Sequence, residues 1–240
     1  LIMTLTTLTA LLLASDVFLN GTQIYVFGAA NPDLAIPLDS GGIPIRIIFT
    51  VDAMSALMQV IGAITGFAVL LYSISADRIH SGLESFYTLF LLMIAGIMGM
   101  VSTGDLFNFF VFLEILSISS AGLIAYRIDG GLAVEAALKY FILSTIGAMV
   151  ILIGIGIYYG EYNALNIAMI ASRMQFTLLD QIALVLIIAA LAMKCGSVPM
   201  HFWTPDAYSM APSSITAMLV VASQASLYGL FRVVFTLYNV

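Results

Sequence analysis

Residues 86–126 read FYTLFLLMIAGIMGMVSTGDLFNFFVFLEILSISSAGLIAY. Two apolar runs, each close to the roughly 20 residues a membrane-crossing helix needs, are parted only by Ser102, Thr103, Gly104 and Asp105. Phe90–Met100 is apolar on every face, unlike the one-sided stripe of a helix packed on a water-soluble core. Lipid offers the backbone no hydrogen-bonding partner, so such a run is a helix or part of a closed barrel. A barrel shows ten-residue segments of alternating polarity, and none is found here. The stretch predicts consecutive transmembrane helices and an all-α integral membrane fold.

The rest of the chain reads the same way. Of its 240 residues 62% are hydrophobic and 8% charged, against about 45–50% and about 25% in soluble domains. About seven segments can cross a bilayer, near 1–19, 48–74, 86–103, 105–126, 131–158, 181–203 and 211–239. Residues 20–47, with Asn31, Pro32, Pro37, Gly41, Gly42 and Pro44, are expected to form an irregular connection outside the membrane. Residues 160–180 mix apolar and polar side chains and are expected to lie as a short helix at the membrane surface. Residues 1–240 read as a single membrane domain. The chain opens at Leu1 without a basic n-region, which does not support a signal peptide; it reads as processed or as a fragment. Arg46 and Arg173 fall on one set of loops and Arg78 and Arg127 on the other, so the positive-inside bias leaves the orientation open.

A net charge of −6 without a basic footprint argues against nucleic-acid binding. One cysteine excludes a disulfide framework, an iron–sulfur cluster and a Cys-based zinc site within this chain. The sequence shows no phosphate loop, histidine pair or catalytic triad, so no catalytic residue, cofactor or metal ligand is expected here. Most charges fall in loops or at helix ends; Asp33, Asp39, Asp77, Arg78, Glu84, Arg127, Asp129, Glu161, Arg173 and Asp180 are expected to be solvated.

Three charges do not fit that pattern. Glu114 lies near the middle of 105–126, Lys194 deep in 181–203, and Lys139 two turns into 131–158. Each central charge costs about 2.5–3.5 kcal/mol on insertion scales, and such residues face the bundle interior, pair with one another and mark ion or proton paths. For Glu114 and Lys194 the competing reading is an ion pair that only fixes helix packing, although such a pair stabilises poorly compared with apolar contacts. For Lys139 it is a same-helix pair with Glu135, four residues earlier in the favourable order, the lysine snorkelling outward.

Lys194 and His201 are seven residues apart, nearly the same face of an unbroken helix and about 10 Å along its axis. Pro199 lies between them and removes the hydrogen bond to the Cys195 carbonyl, and Gly196 and Ser197 loosen the same turn. A broken helix near Pro199 is therefore expected, lining a water-filled cavity. Ser117, one turn beyond Glu114, is placed to hold water. Burial disfavours the charged lysine and a nearby carboxylate favours it. A shift of the glutamate by a few ångströms would switch the lysine between holding and releasing a proton. His201, with Trp203, Pro205 and Asp206, is either a relay or a packed interfacial histidine. Asp105 is either a helix start or a point of proton uptake, and Asp52 is an N-cap or interface residue.

Three stretches, GDLFNFFVFLEILSISS, AALKYFILSTIG and KCGSVPMHFWTPDAYSMAPSSITAML, together resemble the antiporter-like, proton-conducting subunits of respiratory complex I, the multisubunit Na+/H+ antiporters and the membrane-bound hydrogenases. The GDLFN wording looks closest to the cation-antiporter and membrane-bound hydrogenase or sulfane-reductase branch, and the resemblance runs from about Asp52 to Arg232. It implies two inverted five-helix repeats, each a half-channel, of which residues 104–240 would form one and residues 1–103 peripheral helices. It further implies that Glu114 is the modulating carboxylate, Lys194 the switching lysine, Lys139 a relay and His201 the histidine before Trp-x-Pro-Asp-Ala. Many relatives carry a lysine or histidine before Tyr-Gly-Leu-x-Arg. Here SQASLYGLFR puts Gln224 in that place, and glutamine holds water but no charge. The second repeat is missing, so the chain is a fragment or another chain supplies the rest.

The expectation is a multi-pass subunit in the plasma membrane of a prokaryote. It would move H+ or Na+ in a redox-driven or antiporter complex with other membrane subunits, peripheral redox subunits and lipid as partners. The alternatives are a non-conducting structural subunit of such a complex and an independent transporter of a small solute. Against the last, no pair of interrupted helices stands in matching halves.

Overall fold

The computed structural model describes residues 2–27, 47–75, 82–126 and 131–238. Among them are α1 (Ile2–Asn20), β1 (Gln23–Val26), β2 (Ile48–Val51), α2 (Ala53–Ser75), α3 (Leu83–Ser102) and α4 (Leu106–Ile124). There follow α5 (Gly131–Tyr162), α6 (Ile167–Arg173), α7 (Leu178–Lys194), α8 (Thr204–Met210) and α9 (Ser213–Tyr238). Helices α2, α3, α4, α5 and α9 are long and apolar enough to cross a membrane. The 19 residues of α1 and 17 of α7 span about 28 and 26 Å, near the roughly 30 Å of a hydrocarbon core. Each of the seven expected segments thus holds one helix, and the protein is an all-α integral membrane protein. Leu138, Ile142, Ile146, Met149 and Ile153 form an exposed apolar stripe on α5, a surface suited to lipid.

Three expectations need correction. The connection between α1 and α2 is not wholly irregular: β1 pairs antiparallel with β2, Gln23 opposite Val51 and Val26 opposite Ile48. Residues 48–51, expected to open a transmembrane run, are strand. Ile48, Phe49, Thr50 and Val51 are the β-branched and aromatic types that fit a pleated surface, and the Ile48 carbonyl also accepts from the Gly104 amide at 2.9 Å.

Asp180 is fully buried, not solvated. It closes a capping box with Thr177 at the start of α7. There its carboxylate accepts from the Thr177 amide at 2.8 Å and the Tyr162 hydroxyl at 2.6 Å. The helix break expected near Pro199 is present, α7 ending at Lys194, and its local cause is described with the site. The short helix expected within 160–180 is α6, capped by Asn166. Asn31, Pro32, Asp33, Pro37, Asp39, Gly41, Gly42, Pro44, Arg46, Asp77, Arg78, Arg127 and Asp129 lie outside the described residues.

Small residues set how closely the helices approach. Gly96 faces the backbone of Leu116, where a Cβ would come within 2.9 Å of the amide nitrogen, so α3 and α4 pack almost backbone to backbone. On α5, Gly147 faces Met193 and Lys194, and Gly154 faces Ile187 and Ala183. The rising and falling numbers make α5 and α7 antiparallel and bring the end of α7 against the middle of α5. Arg232 of α9 pairs with Asp52 just before α2, and Tyr228 contacts Ser55 at 2.8 Å and donates to the Val101 carbonyl at 2.9 Å. Asp52 is the N-cap of α2, accepting from the Ser55 amide at 2.9 Å.

Candidate functional site

The site begins where α7 stops. Lys194 is its last residue and Gly196 takes a left-handed φ of 74°. The Gly196 amide donates to the Met193 carbonyl at 3.2 Å and the Ser197 amide to the Ala192 carbonyl at 2.9 Å, the two bonds of a Schellman C-cap. The helix therefore ends before Pro199 is reached; Pro199 follows the break and does not cause it. A glycine after the last periodic residue satisfies the end carbonyls, whereas a proline only removes a donor. The Trp203 indole N–H donates to the Met193 carbonyl at 3.0 Å, tying the turn back to the helix before α8 starts.

Ending α7 there leaves Lys194 between two neighbours. Its side chain is 5% exposed. Nζ donates to Ser117 Oγ on α4 at 2.7 Å and to Ser144 Oγ on α5 at 2.8 Å. Ser144 donates to Ser117 at 2.9 Å, and Ser117 to the Leu113 carbonyl at 2.7 Å. Glu114 Oε1 stands 3.8 Å from Nζ, beyond ordinary hydrogen-bond reach. That oxygen is buried and accepts no hydrogen bond. Glu114 thus acts on the lysine through charge while two hydroxyls hold the ammonium. At this separation the attraction is about 4 kcal/mol for an effective dielectric constant near 20.

Two cavities of about 10 Å³ adjoin Lys194, each with room for about one water. Tyr140 and Trp203 border both; Ser117, Ser223 and Ser226 border the cavity that reaches α9, and Ser144 and Met193 the other.

The remaining sequence candidates lie outside this knot. Lys139 Nζ is 2.8 Å from Glu135 Oε1 and 2.9 Å from Asp206 Oδ2, with all three side chains about half exposed. It lies five residues before Ser144, about 7.5 Å along α5. His201 is exposed on the connection between α7 and α8 and shares no helix face with Lys194. Gln224 is exposed on α9, whereas Ser223 and Ser226 are buried. Asp105 is the buried N-cap of α4, its carboxylate accepting from the Asn108 amide at 2.9 Å. Burial pushes its carboxyl above the usual range against the pull of the Asn108 and Phe107 amides. Sequence reasoning did not single out Ser144 or Tyr140, nor pair Asp206 with Lys139. A serine five residues beyond a lysine in an otherwise apolar helix was the available signal.

The chain has counterparts among known proteins. Residues 103–240 match the transmembrane family of NADH:quinone oxidoreductase and Mrp antiporter subunits. The chain is 39% identical to NADH-quinone oxidoreductase subunit N of Desulforudis audaxviator over 199 residues, 80% of this chain and 39% of the relative. It is 33% identical to a subunit of a probable K(+)/H(+) antiporter of Rhizobium meliloti over 195 residues, 79% of this chain and 35% of the relative. Among solved structures it resembles a chain of the membrane-bound sulfane sulfur reductase, an archaeal respiratory membrane complex. The TM-score is 0.85 at 33% identity, covering 99% of this chain and 48% of that one. The chain spans less than half the length of each of these relatives. It belongs to the NADH:quinone oxidoreductase/Mrp antiporter transmembrane family, and is a multi-pass protein of the prokaryotic plasma membrane.

Proposed function

We propose that residues 104–240 form a half-channel that moves H+ across the membrane, with residues 1–103 as peripheral helices and the rest of the channel supplied by further polypeptide. The observation that carries this reading is the placement of Lys194: buried, at the end of an interrupted helix, between two serine hydroxyls, with the Glu114 charge 3.8 Å away. A carboxylate at that distance favours the charged lysine, and its withdrawal favours proton release. Lys139, held between Glu135 and Asp206 at the exposed edge of α5, is the neighbouring relay, with His201 on the adjoining turn and Asp105 as the point of uptake. Na+ is the alternative cargo. The host is a redox-driven or cation/proton antiporter complex of several membrane subunits, with peripheral subunits carrying any redox chemistry.

A second reading, a structural subunit that does not conduct, is favoured by Gln224, which cannot take a charge where the family resemblance places a lysine or histidine. Ion translocation by the intact complex in sealed vesicles separates the two. If Lys194→Ala and Glu114→Gln assemble and both lose translocation, the half-channel stands. If translocation is untouched in assembled complexes, the pair is structural.

A further inference from the structure

Between α1 and α3, over α2, lies a cleft of about 330 Å³, within the size range of small-molecule sites. One wall is a stripe on α1, Thr6, Thr9, Ala10 and Leu13, at the three- and four-residue spacing of a single helix face. The facing wall runs along α3 from Leu91 to Ser102, about 16 Å. That is close to half of the roughly 30 Å hydrocarbon core, the depth of one lipid leaflet. The volume spread over this length leaves a cross-section of about 20 Å², against roughly 80–110 Å² for a helix about 10–12 Å across. The cleft therefore suits a single hydrocarbon chain.

Its polar groups gather where α3 stops. Ser102, the last residue of α3, donates to the Met98 carbonyl at 2.6 Å and accepts from Gln59 Nε2 at 2.7 Å. Gln59 is 2% exposed. Its amide carries two N–H groups; the second N–H, like Oε1, has no partner among the described residues. The β1–β2 pairing and the bridge from Phe49 to Thr103 put the end of α1, the start of α2 and the end of α3 on one side. On that side the α1 stripe reaches its next place, three residues past Leu13, at the half-buried Asp16. Its carboxylate accepts from Asn20 Nδ2 at 2.6 Å and pairs with no basic side chain among the described residues. The nearby Asp52 is already answered by Arg232. The mouth of the cleft thus carries one uncompensated negative charge, with an open amide N–H just inside it.

We propose that the cleft binds one acyl chain of a phospholipid whose head group is a primary ammonium. The ammonium donates to Asp16, an ester carbonyl accepts from the second N–H of Gln59, and the chain runs inward along α3 past Ala95 to Leu91. The bound lipid ties α1 to α3 across the cleft. A quaternary ammonium head brings the charge without an N–H donor, and an anionic head meets Asp16 with like charge. The site is independent of conduction at Lys194 and stands or falls separately from it.

The test uses the intact complex in phosphatidylcholine vesicles doped with a phosphatidylethanolamine that carries a photoactivatable diazirine midway along one chain. Assembly is checked on native gels. Labelled peptides are expected from α1 and α3, around Thr9 and Ala95. Unlabelled phosphatidylethanolamine should compete about fivefold better than phosphatidylglycerol or phosphatidylcholine, the upper end for a partly exposed ion pair. Asp16→Asn should abolish that preference, and Gln59→Leu should lower labelling about fivefold, as the loss of one hydrogen bond does. Ala95→Phe puts a ring into the cleft from an exposed position and should cut labelling at least about tenfold by overpacking it. Should that variant not assemble, Thr9→Phe on the opposite wall reports the same quantity. Equal competition by the three lipids, or a preference that survives Asp16→Asn, overturns the head-group assignment. Full labelling in an assembled phenylalanine variant or in Gln59→Leu overturns the site. A wild-type complex that labels neither helix has its cleft closed by further polypeptide, which overturns the proposal as well.

Discussion

Replacing Glu114 by glutamine keeps shape and removes the charge that faces Lys194. Taking one partner from a buried ion pair costs about 3–5 kcal/mol. The lower end applies, because Ser117 and Ser144 still accept from the ammonium at 2.7 and 2.8 Å and the Glu114 side chain is 21% exposed. About 3 kcal/mol is therefore expected for Glu114→Gln. Lys194→Met leaves a carboxylate that water can partly reach, and about 2 kcal/mol is expected. With both charges gone nothing is left unpaired, so the double variant should cost less than the sum of the singles by about 2–3 kcal/mol, within the range of contacting pairs. Reversible unfolding of the chain in mixed micelles measures this. Its single tryptophan, Trp203, hydrogen-bonds to the turn after Lys194 and reports on this region by fluorescence. Strict additivity, or a cost below about 0.5 kcal/mol for Glu114→Gln, would refute the coupling inferred from the 3.8 Å separation.

Two further outcomes follow from the packing. Gly96→Ala should destabilise by about 1–3 kcal/mol, since its Cβ meets the Leu116 backbone, while Gly156→Ala, with nothing within 4 Å of the new carbon, should be neutral or slightly stabilising. Equal melting temperatures for the two would contradict the close approach of α3 and α4. Burial pushes the Asp52 carboxyl up, but the Ser55 amide and the Arg232 guanidinium outweigh it and hold it below the usual carboxylate range. A depressed native value adds stability above the unfolded value near 3.9 and loses it as pH falls through the native one. Asp52→Asn should therefore be less stable than wild type at pH 7, with the gap closing below about pH 4; a gap independent of pH would exclude the linkage.

The apolar runs alone determined the transmembrane helices, because a backbone in lipid has no choice but to satisfy itself. The same lack of solvent singled out Glu114 and Lys194, since charges inside such runs must find partners. Gly196, a residue without Cβ after the last periodic position, already marked the end of α7, although Pro199 drew the reading further along. Local sequence could not show what lies across the helix interface. Ser144 reaches Lys194 because Gly147 and Gly154 let α5 and α7 close up, and Asp206 reaches Lys139 because α8 folds back on α5. Asp180 read as a loop carboxylate and is buried because Tyr162 and the Thr177 amide, brought together by the connection from the end of α5 through α6 to α7, supply its hydrogen bonds. Periodicity and the cost of burial are written in the order of residues, whereas pairings between helices depend on distances that only the packed bundle sets.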